Sequence, residues 1–373
     1  VSVRPTVIVN HLLEPANRIT GVTRFLFALL GELTQRPAFN YLLLTAWDSD
    51  RLPDSIVHSG VRVITQPYYK SLPHNVLMQT VTLPRLVQKV GAAIEFNCNP
   101  ISGLWPTWPR VITAHDFYFD VLPNQFPLRH RLWWRLFFPL SLASSAKVVC
   151  VSGATQSDLD RFYPRYASKG VVVYEASAIL DVGTATSDNS VLVQPYAIYV
   201  GNISPNKNPD VLARALKILE SSGQRLNVFH VGSDDRSLLA DALRAAGVIQ
   251  PVRTINGATD SMLVETYRHA NCLITTSTHE GFCLPVIEAQ SLGTPVICSD
   301  IPVLREVAGD GALFFDPSDA AALARCLNKV FNDKHLREQM SLAGRRNSAR
   351  FSWARAAQEI EAIFEEISEN RPH

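Results

Sequence analysis

Residues His279–Ile297 read HEGFCLPVIEAQSLGTPVI. A β-branched and apolar run, Cys272 to Thr275, comes just before, and a second, Thr294 to Cys298, closes the stretch. Between them a Gly-containing turn, Gly281-Phe282-Cys283, meets Leu284 and Pro285, and a helical pattern runs from Val286 to Leu292 until Gly293 stops it. Pro285 suits the first helical turn, where a missing N–H is harmless. Strand, turn, helix and strand in this order predict a parallel α/β unit. The amides at such a helix start have no intrahelical partner, which makes the turn an anion site suited to a pyrophosphate. Glu280 and Glu288 bracket the turn, with seven residues between them. Glu288, near the helix start, can accept from both hydroxyls of a ribose diol; Glu280, just before the turn, would stand near a sugar. A lone pair of glutamates would read as a helix-dipole partner and a solvated surface charge. Flanked by Gly, Pro and apolar residues, the pair becomes specific.

The same alternation extends in both directions. Thr6–Val9, Tyr41–Thr45, Val61–Ile64, Val111–Ala114 and Lys147–Val151 read as strands, as do Ala197–Val200 and Asn227–Val231. Amphipathic helical patterns such as Asp210–Ser221 and Ser237–Ala246 lie between. The stretch from Ala176 to Pro195 is rich in Ser, Thr, Gly and Asp, with weak periodicity, and reads as a linker. The expected organisation is a Rossmann-like domain over 1–176, a linker over 177–195 and a second Rossmann-like domain over 196–350; the resemblance set out below makes the first the acceptor side and the second the nucleotide-sugar side. A last helix occupies 351–373, with Ser352 as its N-cap. Two doubly wound α/β domains facing across a cleft place ligands at the carboxyl ends of strands.

Composition narrows the class. The 373 residues are 47% hydrophobic and 18% charged, with net charge +1, so neither disorder nor a nucleic-acid field is indicated. Cys98, Cys150, Cys272, Cys283, Cys298 and Cys326 form no CxxC pair and no zinc-ligand spacing with His. Cys150, Cys272 and Cys298 lie in apolar, strand-like runs and read as reduced core residues of a cytosolic protein. The first ten residues, VSVRPTVIVN, read as a strand rather than a signal peptide. Leu132–Ala143 is apolar but broken by Arg135 and Pro139, too short to span a bilayer. The chain is expected to be soluble or peripheral on the inner face of the plasma membrane. Phe126–Phe138 (FPLRHRLWWRLFF) interleaves arginines with aromatics. A membrane-surface helix shows that pattern, and so does an amphipathic helix packed on its own sheet, the reading favoured by Pro127 and Pro139 as the segment's bounds.

His279–Ile297 resembles the EX7E motif of the family-4 retaining glycosyltransferases of GT-B architecture, and most like it are bacterial mannosyltransferases of O-antigen and exopolysaccharide assembly. The likeness covers most of the chain. Tyr199–Asn208 (YVGNISPNKN) resembles the family's strand and loop, Val151–Leu159 (VSGATQSDL) a helix start, and Ser299–Gly309 with Phe315-Asp316-Pro317 a further signature. The terminal Phe351-Ser352-Trp353 helix is also similar, and in the family it crosses back to the N-terminal domain. Two departures stand out. Asn202 and Asn206 occupy places where the family often carries an Arg. Cys283 stands where a small residue or Gly is common, and its Cβ argues against a left-handed conformation there.

The resemblance implies roles. Glu280 contacts the donor sugar, Lys207 neutralises the diphosphate and Glu288 holds the ribose. Gly281, Phe282, Cys283 and Leu284 offer backbone donors, with Asn202 beside them. A fixed cation suits a leaving diphosphate, which gathers charge in the transition state; without the resemblance Lys207 reads as an exposed turn lysine. In the N-terminal half, Gly21, in Ile19–Phe25, lets the backbone approach the donor phosphate or acceptor, or simply serves a tight strand-to-helix turn. Thr113-Ala114-His115-Asp116 resembles the family's HD site: His115 hydrogen-bonds the donor sugar, and Asp116 orients it or lines the acceptor pocket. The loop Ala258–Met262 is the candidate for base contact. The implied activity is sugar transfer from a nucleotide-sugar donor, GDP-mannose first and a UDP-sugar second, to a hydroxyl of a growing glycan or lipid-linked glycan. Retention and no required metal or cofactor are implied with it, through a same-face displacement in which the leaving phosphate takes the acceptor's proton. Two other classes remain: an inverting transferase or epimerase of the same architecture, and a non-catalytic sugar-nucleotide-binding subunit.

Overall fold

A computed structural model describes residues 4–15, 19–36, 38–67, 71–179, 195–249 and 252–369. The chain divides into two compact units, Val1–Ala176 with Ser352–His373, and Ser177–Phe351. Most of the expected linker, residues 180–194, lies outside the described residues.

The first unit holds a seven-stranded sheet: β1 (Thr6–His11), β2 (Asn40–Thr45), β3 (Arg62–Thr65), β4 (Ala92–Asn97), β5 (Arg110–Ala114), β6 (Lys147–Cys150) and β7 (Gly170–Val172). Their order is β3-β2-β1-β4-β5-β6-β7, and every pairing is parallel. The central strands are almost wholly apolar because helices cover both faces of a parallel sheet; Val7, Ile8, Val9, Leu42, Leu43 and Leu44 are all buried. Helix Gly21–Thr34 starts on Thr20, whose hydroxyl accepts the Thr23 amide, and buries Phe25, Leu26, Leu29 and Leu30.

β4 escapes the hydrophobic pattern because it carries buried polar residues. Glu95 is fully buried and accepts from Arg110 Nε at 2.8 Å, Trp108 Nε1 at 2.9 Å, Ser102 Oγ at 2.7 Å and Asn10 Nδ2 at 3.0 Å. Burial opposes its charge, yet the Arg110 guanidinium and these hydrogen bonds hold its pKa below the usual carboxylate value. Helix Leu128–Ser144 also departs from expectation. Pro139 does not bound it but sits inside it. Proline removes one N–H and crowds the preceding turn, while Trp134, Phe138 and Leu142 anchor the helix in the core on both sides of it. The last helix, Trp353–Glu369, belongs to this unit. Ser352 Oγ accepts the Arg355 amide at 3.2 Å, and Phe364 packs edge-on against Phe39 and Phe96.

The second unit holds β8 (Tyr196–Val200), β9 (Asn227–Val231), β10 (Val252–Ile255), β11 (Cys272–Thr275), β12 (Val296–Ser299) and β13 (Ala312–Phe315). The order β10-β9-β8-β11-β12-β13 is again all parallel. Helices Pro209–Ser221 and Ala320–Asn332 pack Leu212, Leu216, Leu323 and Leu327 into one core. The strand order reverses between β8 and β11, so the loops after these strands flank the switch-point crevice where doubly wound sheets take ligands. Among the described residues no helix is long and apolar enough to cross a membrane.

Candidate functional site

The switch point of the second unit brings together the loop after β8 and the loop after β11. Lys207 Nζ meets Glu280 Oε1 at 2.6 Å, and Ser277 Oγ donates to the same oxygen at 2.6 Å. The two loops are laced together behind the pair. Asn206 Nδ2 donates to the His279 carbonyl at 3.0 Å, the Thr278 amide donates to the Asn206 carbonyl at 2.8 Å, and Tyr199 Oη donates to the Lys207 carbonyl at 2.8 Å. Asn206, read from sequence as a missing Arg, thus has a loop-joining function. Burial opposes the Lys207 ammonium, but the charge of Glu280 outweighs it and raises the lysine's pKa further. Lys207 therefore stays cationic at any physiological pH. Gly201, at φ +122°, lies beneath its side chain, and a Cβ there would meet Lys207 Nζ at 3.7 Å.

Helix Leu284–Leu292 begins directly after this loop with Pro285 in its first turn. Its N-cap is Cys283 at φ 76°, ψ 66°. The sequence argues against a left-handed Cys283; the structure corrects this. Reversing the chain from Glu280 into the helix requires that conformation, and the Cys283 side chain, itself buried, is held by its surroundings. Gly281, Phe282 and Leu284 are buried beside it, and Phe282 packs edge-on against Phe351 at 5.5 Å. Glu288 is not a solvated charge: it is 4% exposed, and Tyr267 Oη donates to its Oε2 at 3.0 Å. Asn202 is exposed and accepts from the Ser233 amide at 3.0 Å and its hydroxyl at 3.1 Å. In the Ala258–Met262 loop, Thr259 caps helix Asp260–His269.

In the first unit His115 follows β5 directly. Its Nε2 lies 2.9 Å from the Cys98 carbonyl and its Nδ1 3.2 Å from Glu175 Oε1. A carbonyl and a carboxylate are both acceptors, so this pair of partners favours the doubly protonated ring. Burial opposes that charge, but the hydrogen bond and charge of Glu175 outweigh it and raise the pKa. Asp116 does not orient the ring; it is exposed and its Oδ1 accepts the Tyr118 amide at 3.0 Å. With both nitrogens engaged, the expected bond from His115 to a donor sugar requires one partner to be released. Gly21 opens its helix with free space above it, since a Cβ there would meet nothing within 4 Å.

Sequence reasoning missed Glu175, Ser277 and Tyr267. Ser277 had a signal, standing three residues before Glu280 in the same loop. Glu175 and Tyr267 had none, because each reaches its partner only through the folding of a distant segment.

Two Rossmann-like parallel α/β units, the second with an acid, a lysine and a helix start at its switch point, give the chain the GT-B fold. Residues 187–347 match the family model of glycosyl transferases group 1. The chain is 27% identical to O-antigen chain mannosyltransferase B of Escherichia coli over 256 residues, 65% of this chain and 66% of that protein. It is 34% identical to D-inositol 3-phosphate glycosyltransferase of Nocardia farcinica over 175 residues, 44% of this chain and 39% of that one. The chain thus spans less than two thirds of either relative. In fold it is similar to WaaG, a glycosyltransferase involved in lipopolysaccharide biosynthesis, with TM-score 0.73 at 16% identity over 96% of this chain and 99% of the other.

Proposed function

We propose that this protein is a retaining glycosyltransferase that moves mannose from GDP-mannose to a hydroxyl of a growing glycan or lipid-linked glycan. The observation that carries the reading is the Lys207–Glu280 pair beside the start of helix Leu284–Leu292. An ammonium has three donors. One goes to Glu280, and the others serve a diphosphate seated on the first-turn amides. As the glycosidic bond breaks, charge builds on that diphosphate, and a lysine that cannot lose its proton stabilises it without reorganisation. Glu280 then faces the sugar, and Glu288, braced by Tyr267, takes the ribose hydroxyls. The acceptor's proton passes to the leaving phosphate on the same face, so the anomeric configuration is kept. The reading needs no metal and no cofactor.

Likeness to the Escherichia coli mannosyltransferase supports mannose as the sugar. Contact with the inner face of the plasma membrane is part of the same reading. It is supported by helix Leu128–Ser144, which leaves Leu128, Leu132 and Leu136 exposed beside Arg129 and Arg135. The test is incubation of the full chain with radiolabelled GDP-mannose and membranes as the acceptor source. The reading predicts label in a product whose mannose is α-linked, as in the donor. A β-linked product would contradict retention, and label from UDP-glucose alone would contradict the donor.

A further inference from the structure

A cavity of about 660 Å³ lies in the first unit against helix Leu128–Ser144. Its walls are chiefly apolar and aromatic, including Ile101, Phe119 and Trp134. Phe119 stacks on Trp134 at 4.7 Å and Trp134 on Phe138 at 4.3 Å, so this wall is a continuous aromatic stack. Arg129, His130 and Trp133 line it as well, and none of the described lining residues is a carboxylate. Helix Leu128–Ser144 itself contains no Asp or Glu, and no carboxylate pairs with Arg129 among the described residues. The two tryptophans differ. Trp134 Nε1 donates to Asp120 at 2.9 Å, whereas the buried Trp133 Nε1 has no acceptor among the described residues. Arg129 and Trp133 lie four residues apart on one face of the helix, and the next face carries the exposed Leu128, Leu132 and Leu136.

Apolar walls call for a hydrocarbon occupant. An unpaired guanidinium at those walls, where no described lining residue is a carboxylate, calls for an anion, and phosphate matches it in charge and fork geometry. We propose that this cavity binds an apolar chain bearing a phosphate, the lipid-phosphate portion of the acceptor, with Arg129 on the phosphate and the aromatic wall on the chain. The adjoining leucine face offers the chain an apolar path to the cavity. The identity of the ligand as acceptor rests on the glycosyl-transfer reading above; the binding itself does not.

The test is titration of the full chain with farnesyl phosphate, kept below its aggregation concentration and followed by calorimetry. Farnesol and inorganic phosphate serve as the separate halves, and GDP is titrated into the same samples. Farnesyl phosphate should bind at one site, and each half should bind at least about tenfold more weakly. Arg129→Gln should weaken farnesyl phosphate about tenfold, leave farnesol unchanged and leave nucleotide binding intact. Trp133→Ala should weaken both farnesyl compounds. Inorganic phosphate binding as well as farnesyl phosphate would overturn the proposal by marking an anion site alone. Farnesol binding as well would overturn it by marking an apolar site alone, and so would an Arg129→Gln variant with wild-type affinity. Nucleotide binding without farnesyl phosphate binding sinks the cavity proposal and spares the donor site; the reverse pattern does the opposite.

Discussion

Charge and backbone strain meet at Lys207 and Cys283. Lys207 is kept charged by Glu280 although burial works against it. Cys283 is held left-handed where the chain turns into the helix beyond Glu280, and a Cβ in that region costs roughly 1–2 kcal/mol. Cys283→Gly relieves that strain but gives up a small buried side chain, so stability should change by less than about 1 kcal/mol with nucleotide binding intact. Cys283→Val, β-branched at positive φ, should lose about 2 kcal/mol or more. Thermal unfolding of the two variants checks this, and equal losses would mean that strain is not the issue. His11, at the end of β1, is fully buried, and burial lowers its pKa from 6.5 to about 4. It folds neutral and is protonated more readily when unfolded. Its contribution is whole above pH 6.5 and is lost as pH falls toward 4, by ~3 kcal/mol in all. His11→Gln should flatten the acid limb of the stability profile in urea titrations at pH 7 and pH 5; an unchanged limb would assign it to other groups. His115 works in the opposite sense, since its raised pKa favours the fold at lower pH.

Among the elements, β4 depends most on a single pair. Arg110 and Glu95 are both fully buried, and removing one leaves the other charge unpaired. Arg110→Met should cost about 3–5 kcal/mol, seen as a lowered midpoint in denaturant. A loss below about 1 kcal/mol would mean that Glu95 simply takes up a proton. β4 also shows why some elements were illegible in the sequence. The strands whose buried side chains are mostly apolar, such as Tyr41–Thr45 and Cys272–Thr275, stand out as apolar runs, whereas Ala92–Asn97 interrupts its pattern with Glu95 and Asn97. The short edge strands Val252–Ile255 and Gly170–Val172 are half exposed and carry little signal. The turn from Glu280 to the helix was legible because Gly281, Pro285 and Gly293 punctuate it. The brace on Glu288 was not, because Tyr267 comes from the preceding helix. Nor was the ring partner of His115, because Glu175 arrives after β7. Proline misled once: Pro139 lies inside a helix that its neighbours hold in the core.

In the whole molecule the chain's end completes its beginning. Trp353–Glu369 buries Ala357, Ile360 and Phe364 in the first unit, with Arg36 paired to Glu361 and Lys147 to Glu366. Ending the chain at Phe351 should therefore destabilise the first unit and leave the core of the second intact, giving two separate unfolding transitions in calorimetry with only the earlier one shifted. A single transition at the wild-type temperature would show that the helix is dispensable. On the proposed function, the β8–β11 switch point of the second unit holds a nucleoside diphosphate through Lys207 without a metal. Calorimetric titration of GDP, UDP, ADP and dTDP into the full chain, with and without EDTA and beside Lys207→Ala, tests it most directly. GDP should bind tightest, EDTA should change nothing and Lys207→Ala should weaken binding at least about tenfold. Wild-type affinity in Lys207→Ala, or binding abolished by EDTA, would contradict it.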